Sequence, residues 1–182
     1  MKVSEMQIPD VLLIEPEIYT DDRGYFLETF RNTWFEEMNL DVHFVQDNQS
    51  YSKHGVLRGL HYQIRQPQGK LVKVTRGKVY DVVVDMRKSS DTFGQYVGVI
   101  LSEEKKNLIW VPPGFAHGFY VMSDGAEITY KCSNYYSPEF ERTLFWKDPD
   151  INIDWPLGKQ KQPILSDKDL AGVRFTEAEY FG

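Results

Sequence analysis

Short strand-like runs separated by turn residues constrain the fold of this chain more than any other feature of its sequence. Turn sequences such as Asp22-Arg23-Gly24, Lys53-His54-Gly55 and Ser123-Asp124-Gly125 lie between many of these runs. A single glycine separates two of them, and this predicts a tight hairpin around Gly77. The predicted strands are 11–14, 25–30, 44–52, 56–63, 71–76, 78–86, 96–101, 108–111, 118–122 and 127–133.

Helical signal is sparse. Asn32-Thr33 predicts the cap of a short helix that runs through Met38, with Glu36 three residues after Thr33 as in a capping box. Ser166 predicts the start of a second helix near the C-terminus. Many strands and few helices predict an all-β sandwich, jelly roll or small barrel that holds a ligand on inward-facing residues. No repeat or linker interrupts the chain, so we expect one domain over residues 1–182.

Charge and cysteine content narrow the class of protein. The formal net charge of −6 argues against a nucleic-acid partner, although local cations can still bind a small anion. Cys132 is the only cysteine, so no intrachain disulfide can form, which is typical of a reducing cytosol. The N-terminus lacks the apolar run of a signal peptide, and no apolar stretch approaches the ~18 residues of a membrane span. We therefore expect a cytoplasmic protein with no membrane partner.

The stretch 56–74 places a histidine between two cations. Arg58 lies three residues before His61, and Lys70 opens the next predicted strand. A neighbouring cation lowers the pKa of an imidazole and keeps it neutral, as a general base requires. Taken alone, His61 is more often a core histidine bonded to a backbone carbonyl, and that alternative stays open.

Asp81 and Asp85 lie four residues apart on the predicted strand 78–86 and therefore share one face of it. Asp85 precedes Met86-Arg87-Lys88, which predicts an ion pair beside a turn. Asp81 lies deeper in the strand, which favours a position facing the interior. Two solvated carboxylates on an open face remain an equal alternative from the sequence.

Two further segments carry polar and aromatic residues. Tyr130, in the cluster 130–136, could supply an acid, and Lys70 could stabilise an oxyanion. Aromatic residues packed on one face of a strand are the simpler interpretation of this cluster. His117 follows the turn Pro112-Pro113-Gly114 and could bind a metal or a phosphate or be structural. A catalytic metal site needs about three protein ligands. No His/Glu cluster at ligand spacing is present, so we expect no metal.

Several segments in family order, from about residue 8 to residue 170, together resemble the dTDP-4-dehydrorhamnose 3,5-epimerase family of the cupin superfamily. Each is only moderately specific, but the set is highly specific. The segments are Asp-Asp-Arg23-Gly-Tyr-Phe26, Phe-Val-Gln46-Asp-Asn48, Val-Leu-Arg58-Gly-Leu-His61, Gln-Gly-Lys70-Leu-Val, Phe-Gly-Gln-Tyr-Val-Gly, Pro-Pro-Gly-Phe-Ala-His117-Gly-Phe, Tyr130-Lys-Cys-Ser-Asn-Tyr-Tyr136-Ser-Pro and Leu-Ser-Asp-Lys168-Asp169.

The resemblance implies a cupin-type jelly-roll β-barrel with a few short peripheral helices, working as a homodimer. By likeness, His61 is the general base oriented by Asp169, Tyr130 is the general acid on the opposite face of the sugar, and Lys70 faces the developing enolate. Arg23 would come from the neighbouring subunit, and Tyr136 would stack near the nucleotide base. The implied substrate-binding residues are Arg23, Phe26, Glu28, Gln46, Asn48, Arg58, Lys70, His117, Tyr136, Glu141 and Lys168.

The implied reaction is epimerisation at C3 and C5 of a dTDP-linked 4-keto-6-deoxy sugar, in dTDP-L-rhamnose biosynthesis, without a cofactor. Both carbons are alpha to the C4 carbonyl, so a histidine can remove their protons. Tyr62-Gln63 follows His61, so the second histidine of the metal-binding cupin motif is missing, which agrees with a metal-free branch. One alternative is an epimerase that inverts only C3 or only C5 of another nucleotide-linked 4-keto-6-deoxy sugar. Others are a non-catalytic sugar-nucleotide-binding cupin and a metal-dependent cupin oxygenase.

Overall fold

The computed structural model describes residues 1–159 and 161–182. Strands dominate it, with two short α-helices, α1 (Asn32–Glu37) and α2 (Asp167–Leu170), and short 3-10 turns at Pro138–Phe140 and Phe175–Glu177. The strands are β1 (Lys2–Glu5), β2 (Leu12–Glu15), β3 (Ile18–Asp21), β4 (Gly24–Leu27), β5 (Gln46–Lys53), β6 (Leu57–Gln63), β7 (Lys70–Arg76), β8 (Lys78–Asp85), β9 (Tyr96–Ser102), β10 (Leu108–Val111), β11 (Phe115–Val121), β12 (Gly125–Cys132) and β13 (Glu141–Thr143).

Eight of these strands pair as one long antiparallel hairpin that is wound on itself. β8 pairs with β9, β7 with β10, β6 with β11 and β5 with β12. β5, β7, β10 and β12 join β1 and β2 in a six-stranded sheet, while β6, β8, β9 and β11 join β13 in a five-stranded sheet. A hairpin wound between two facing sheets is a jelly roll, so the predicted all-β fold class is confirmed.

The predicted hairpin around Gly77 is wrong. β7 pairs with β10 and β12 in one sheet, whereas β8 pairs with β9 and β11 in the other. Gly77 is the point where the chain crosses between the sheets, with a φ of +81°. A Cβ there would lie 2.1 Å from the carbonyl oxygen of Gly125, so this crossing needs a glycine. The turn-like glycine was recognised correctly, but the pairing was not.

The main hydrophobic core fills the space between the sheets. Val72 and Val74 of β7 face Val79 and Val83 of β8 there, all nearly or fully buried. A second cluster covers the outer face of the five-stranded sheet with residues from the C-terminal segment, including Trp146. A third packs α1 against the outer face of the six-stranded sheet. Residues that face inward from the strands therefore form the main core, and residues that face outward contribute to the two outer clusters.

Each of the ten predicted strand runs overlaps an observed strand, with ends that differ by up to three residues. The strands β1, β3 and β13 were missed. The second helix begins as predicted, with Ser166 as its N-cap. The capping prediction for α1 is wrong: its N-cap is Arg31, without a side-chain cap, and Asn32 Nδ2 instead donates to Glu36 Oε1 at 3.0 Å. None of the described helices is long and apolar enough to cross a membrane.

Candidate active site

A cavity of about 340 Å³ lies between the two sheets, at one end of them. Its volume is in the range of small-molecule sites. It brings together most of the residues that the sequence suggested, namely Gln46, Asn48, Arg58, His61, Lys70, His117, Tyr130, Tyr136, Glu141 and Lys168. Asp169 lies directly behind it, bonded to His61.

Strand alternation delivers most of these side chains to the cavity from both sheets, whereas Tyr136 lies on the loop after β12 and Lys168 lies on α2. Tyr130 of β12 pairs with Asn48 of β5 in the six-stranded sheet, and Lys70 opens β7 beside them. His61 of β6 pairs with His117 of β11 in the five-stranded sheet. Because the two sheets face each other, a ligand between them meets the tyrosine and the lysine on one side and the two histidines on the other.

Two glycines let the strands that carry the histidines approach closely. A Cβ on Gly59 of β6 would lie 2.6 Å from the Cα of Gly118 of β11. A Cβ on Gly118 would lie 2.6 Å from the carbonyl oxygen of Arg58. Neither position has room for a side chain, and this contact holds His61 and His117 side by side at the base of the cavity.

His61 and Asp169 form a short hydrogen bond at the wall of the cavity. The distance from His61 Nε2 to Asp169 Oδ1 is 2.6 Å, and the side chains are 22% and 4% exposed. The Asp169 carboxylate also accepts bonds from the Gly59 N–H and the Ser166 hydroxyl. Helix α2 therefore places beside His61 a carboxylate whose two oxygens both accept hydrogen bonds.

The protonation of this pair follows from its surroundings. Burial would raise the pKa of Asp169, but the hydrogen bonds from His61, Ser166 and the Gly59 N–H outweigh it and lower this pKa to about 2. An ionised carboxylate can only accept a hydrogen bond, so Nε2 of His61 carries its proton and Nδ1 is left as the basic nitrogen. Burial lowers the pKa of His61 below 6.5, and Lys168 and Lys70 add to this against the opposing effect of Asp169. A neutral His61 was predicted from its cationic neighbours, and burial is the larger cause.

Lys70 extends from the first residue of β7 into the cavity, where its ammonium has no hydrogen-bond or ion-pair partner among the described residues. Burial lowers its pKa, and Cys132, Glu141 and Asp81 oppose that shift. The ammonium is thus available to a ligand. An unpaired partly buried cation gains most from a negative charge that develops beside it.

Tyr130 lines the cavity, and its hydroxyl has no hydrogen-bond partner among the described side chains and backbone groups. Burial raises its pKa above 10.0, only partly opposed by Arg58, so the phenol is protonated at neutral pH. The group is therefore able to donate a proton.

At the mouth of the cavity, Lys168 and Tyr136 are hydrogen-bonded to Glu141. Lys168 Nζ donates to both carboxylate oxygens of Glu141 at 2.9 and 3.0 Å, and the Tyr136 hydroxyl donates to Glu141 Oε2 at 3.0 Å. Arg58 donates to the Ser52 hydroxyl and has no carboxylate partner among the described residues. Two cations and one exposed aromatic ring thus surround the entrance, as an anionic nucleotide would require.

Asp81 and His117 form a second buried pair at the base of the cavity. The distances from His117 Nε2 to the two Asp81 oxygens are 2.9 and 3.0 Å, and Asp81 is 0% exposed. Asp85 is equally buried and pairs with Arg87 at 2.8 Å, beside the turn as predicted. The interior position of Asp81 is confirmed, and the alternative of two solvated carboxylates is excluded.

The structure leaves three suggested binding residues outside the cavity. Arg23 lies at the exposed turn of the β3–β4 hairpin and pairs with Asp21. Phe26 of β4 is 69% exposed, and Glu28 pairs with Arg31 at 2.7 Å. None of the three is among the described residues that line the cavity of a single chain.

Some cavity residues were missed by sequence reasoning. Ser50, Phe119 and Ile128 each lie two residues from a suggested site residue on the same strand, so strand periodicity could have identified them. Gln68 lies on the loop before β7, where no periodicity applies. Among residues 1–159 and 161–182, no group of three or more His, Cys, Asp or Glu side chains is arranged to hold a metal ion.

Comparison with known proteins shows the family of this chain. Residues 5–177 match the family model described as dTDP-4-dehydrorhamnose 3,5-epimerase. A protein of that name from Pseudomonas aeruginosa is 54% identical over 182 residues, covering 100% of this chain and 99% of the relative. A relative of the same name from Neisseria gonorrhoeae is 53% identical over 179 residues. That relative is a longer protein, and the match covers 98% of this chain and 54% of the relative.

A solved structure extends the likeness to three dimensions. It is the crystal structure of dTDP-6-deoxy-D-glucose-3,5-epimerase from Legionella pneumophila in complex with dTDP-4-keto-L-rhamnose. The two chains are 51% identical with a TM-score of 0.94, and the match covers 98% of this chain and 94% of the other. The jelly roll is thus of the cupin type found in these epimerases. The chain belongs to the dTDP-4-dehydrorhamnose 3,5-epimerase family.

Proposed function

We propose that this protein is an isomerase that inverts C3 and C5 of dTDP-4-dehydro-6-deoxy-D-glucose to give dTDP-4-dehydro-L-rhamnose, in dTDP-L-rhamnose biosynthesis. The observation that carries the proposal is the cavity in which His61, bonded to Asp169 of α2, lies on one sheet and Tyr130 lies on the facing sheet. A base and an acid on opposite sides of a bound sugar are what inversion of a carbon centre requires.

His61 acts as the base through Nδ1. Its lowered pKa keeps it neutral at cellular pH, and its bond to Asp169 fixes the tautomer and stabilises the imidazolium formed when it takes the proton. The bond from carbon to hydrogen breaks, and its electron pair moves into an enolate whose charge lies on the C4 oxygen.

Lys70 stabilises that charge. Its ammonium lacks a partner among the described residues, so the developing enolate oxygen supplies one. This gain exists in the transition state more than in the ground state, since the keto oxygen carries only a partial charge. The lysine therefore accelerates the reaction rather than only tightening binding.

Tyr130 returns a proton to the carbon from the opposite face. Burial raises its pKa, so the hydroxyl is protonated and ready to donate. After each inversion His61 releases its proton to solvent and Tyr130 regains one, which resets the site for the second centre. Hydrogens at C3 and C5 of the product therefore come from water.

The remaining cavity residues bind the substrate. Arg58 and Lys168 attract the pyrophosphate, and Tyr136 offers an exposed ring to the thymine. Binding at this end competes with the bonds from Lys168 and Tyr136 to Glu141. Gln46, Asn48 and His117 provide polar contacts to the sugar.

The protein works as a homodimer of single-domain subunits, each spanning residues 1–182, in the cytoplasm and without a cofactor. The exposed β3–β4 hairpin supports the dimer, because Arg23 and Phe26 extend from the body of one chain and lack partners in its cavity. In the dimer this hairpin delivers Arg23 and Phe26, with Glu28 directly after it in the chain, to the cavity of the other subunit.

Incubation with dTDP-4-keto-6-deoxyglucose in heavy water tests the proposal. We expect a product of the L-rhamno configuration by NMR, with deuterium at both C3 and C5. Deuterium at one centre would assign an epimerase acting at that centre. Binding without exchange would assign a non-catalytic protein.

A further inference from the structure

Ser166 makes two hydrogen bonds to the same residue at the start of helix α2. Its hydroxyl oxygen accepts a bond from the Asp169 N–H at 3.2 Å, which caps the helix. Its hydroxyl proton is donated to Asp169 Oδ2 at 2.6 Å. One side chain thus joins the backbone and the carboxylate of the residue that supports the base.

The two oxygens of the Asp169 carboxylate have different partners. Oδ1 accepts from His61 Nε2 and from the Gly59 N–H, at 2.6 and 3.2 Å. Oδ2 is bonded by Ser166 alone among the described residues. The carboxylate is only 4% exposed, so water has little access to replace the hydroxyl. Ser166 therefore fixes the rotation of the carboxylate plane, which sets the direction in which Oδ1 faces His61.

We propose that Ser166 is a positioning residue for proton abstraction, holding the Asp169 carboxylate so that His61 keeps its proton on Nε2 and its lone pair on Nδ1. The proposal rests on the role of His61 as the base. It predicts that the hydroxyl of Ser166 affects turnover although it lies behind the carboxylate and is not among the cavity-lining residues.

Substitutions can separate this role from helix capping. Glycine is itself a favourable N-cap residue, so Ser166→Gly removes the hydroxyl with little cost to the helix. Ser166→Thr retains the hydroxyl. The matched control is Ser90→Ala, because Ser90 donates a similar bond, of 2.7 Å, to the buried carboxylate of Asp85 away from the cavity.

We expect Ser166→Gly to lower kcat about ten-fold with KM nearly unchanged, as for loss of a hydrogen bond to a charged group. Deuterium exchange into the substrate should fall in the same proportion, Ser166→Thr should recover most of the turnover, and Ser90→Ala should leave kcat unchanged. Imidazole nitrogen NMR, with the His61 signals assigned through His61→Ala, should find the Nε2–H tautomer in the wild type and a mixture in Ser166→Gly.

Wild-type turnover and an unchanged His61 tautomer in Ser166→Gly would overturn the proposal, as would equal loss of turnover in Ser90→Ala. If the wild type itself has no epimerase activity, the proposed function fails. In that case the NMR comparison still measures whether Ser166 sets the tautomer of His61.

Discussion

Replacing Asp169 by asparagine tests how much the His61–Asp169 bond contributes to catalysis. The fold lowers the pKa of Asp169 from 3.8 to about 2. A shift of about two units corresponds to ~2.5 kcal/mol in favour of the ionised form. The bond from His61 is the largest of the favourable contributions, ahead of Ser166. We therefore expect Asp169→Asn to lower kcat by about ten- to a hundred-fold.

The same substitution should shift the pH dependence in a defined direction. His61 must be neutral to act, so activity is lost as the pH falls through its pKa, which burial holds below 6.5. Asp169 raises that pKa. Without its charge the pKa falls further, and the acid limb of kcat/KM moves to lower pH.

Initial rates measured from about pH 4 to about pH 8, which spans the ordinary histidine pKa, give both quantities. Asp148→Asn is a matched control, since Asp148 is also buried but is bonded by backbone N–H groups of Asp150, Ile151 and Phe175. It should leave the acid limb in place. An Asp169→Asn enzyme with the wild-type acid limb and kcat within about two-fold of the wild type would refute the reasoning.

Three further predictions concern other parts of the structure. Lys70→Met should reduce kcat by about a hundred-fold or more with a smaller change in KM, and in the wild type the activity should fall as the pH rises through a Lys70 pKa that burial holds below 10.5. Gly118→Ala should lower the melting temperature and the activity together, because the added Cβ would lie 2.6 Å from the backbone oxygen of Arg58, whereas Gly182→Ala meets no atom within 4 Å and should melt like the wild type. Asp85→Ala removes the buried acceptor of hydrogen bonds from Arg87, Ser90 and Thr92 and leaves Arg87 only the exposed Asp10 as an ion-pair partner, so urea denaturation should give a free energy of unfolding about 3 kcal/mol lower with an unchanged KM.

Most of the strands were predictable because they alternate or run apolar over a length that packs on a neighbouring sheet, whereas β4 is largely exposed and β5 is largely polar. The pairing of the strands was not predictable, since it depends on contacts far apart in the chain. Gly77 illustrates the difference: a glycine between two strands has the same local sequence whether the chain turns back or crosses to the other sheet. The strands β1 and β13 were missed because their sequences, Lys-Val-Ser-Glu and Glu-Arg-Thr, carry at most one apolar residue, and β3 was missed although it is no shorter than β2, β4 and β10.

The candidate site was predictable as a set of residues through likeness to a family, but its contacts were not. Nothing in the sequence paired Asp81 with His117, because they lie on different strands and meet only when β8 and β11 pair. Ser166 was recognised as a helix start, whereas its bond to the Asp169 side chain depends on the rotamers that packing selects. Arg23 remains a prediction for the dimer, since a single chain places it at an exposed turn.

The most direct test of the central claim compares deuterium exchange with inversion in His61→Ala and Tyr130→Phe enzymes, with substrate in heavy water. If His61 is the base and Tyr130 the acid on the facing sheet, His61→Ala loses exchange and turnover together. Tyr130→Phe then retains more exchange than inversion, because abstraction and return of a proton on the His61 face survive. Wild-type exchange in His61→Ala would contradict the assignment of the base, and equal loss of exchange and inversion in Tyr130→Phe would contradict the division between the two faces.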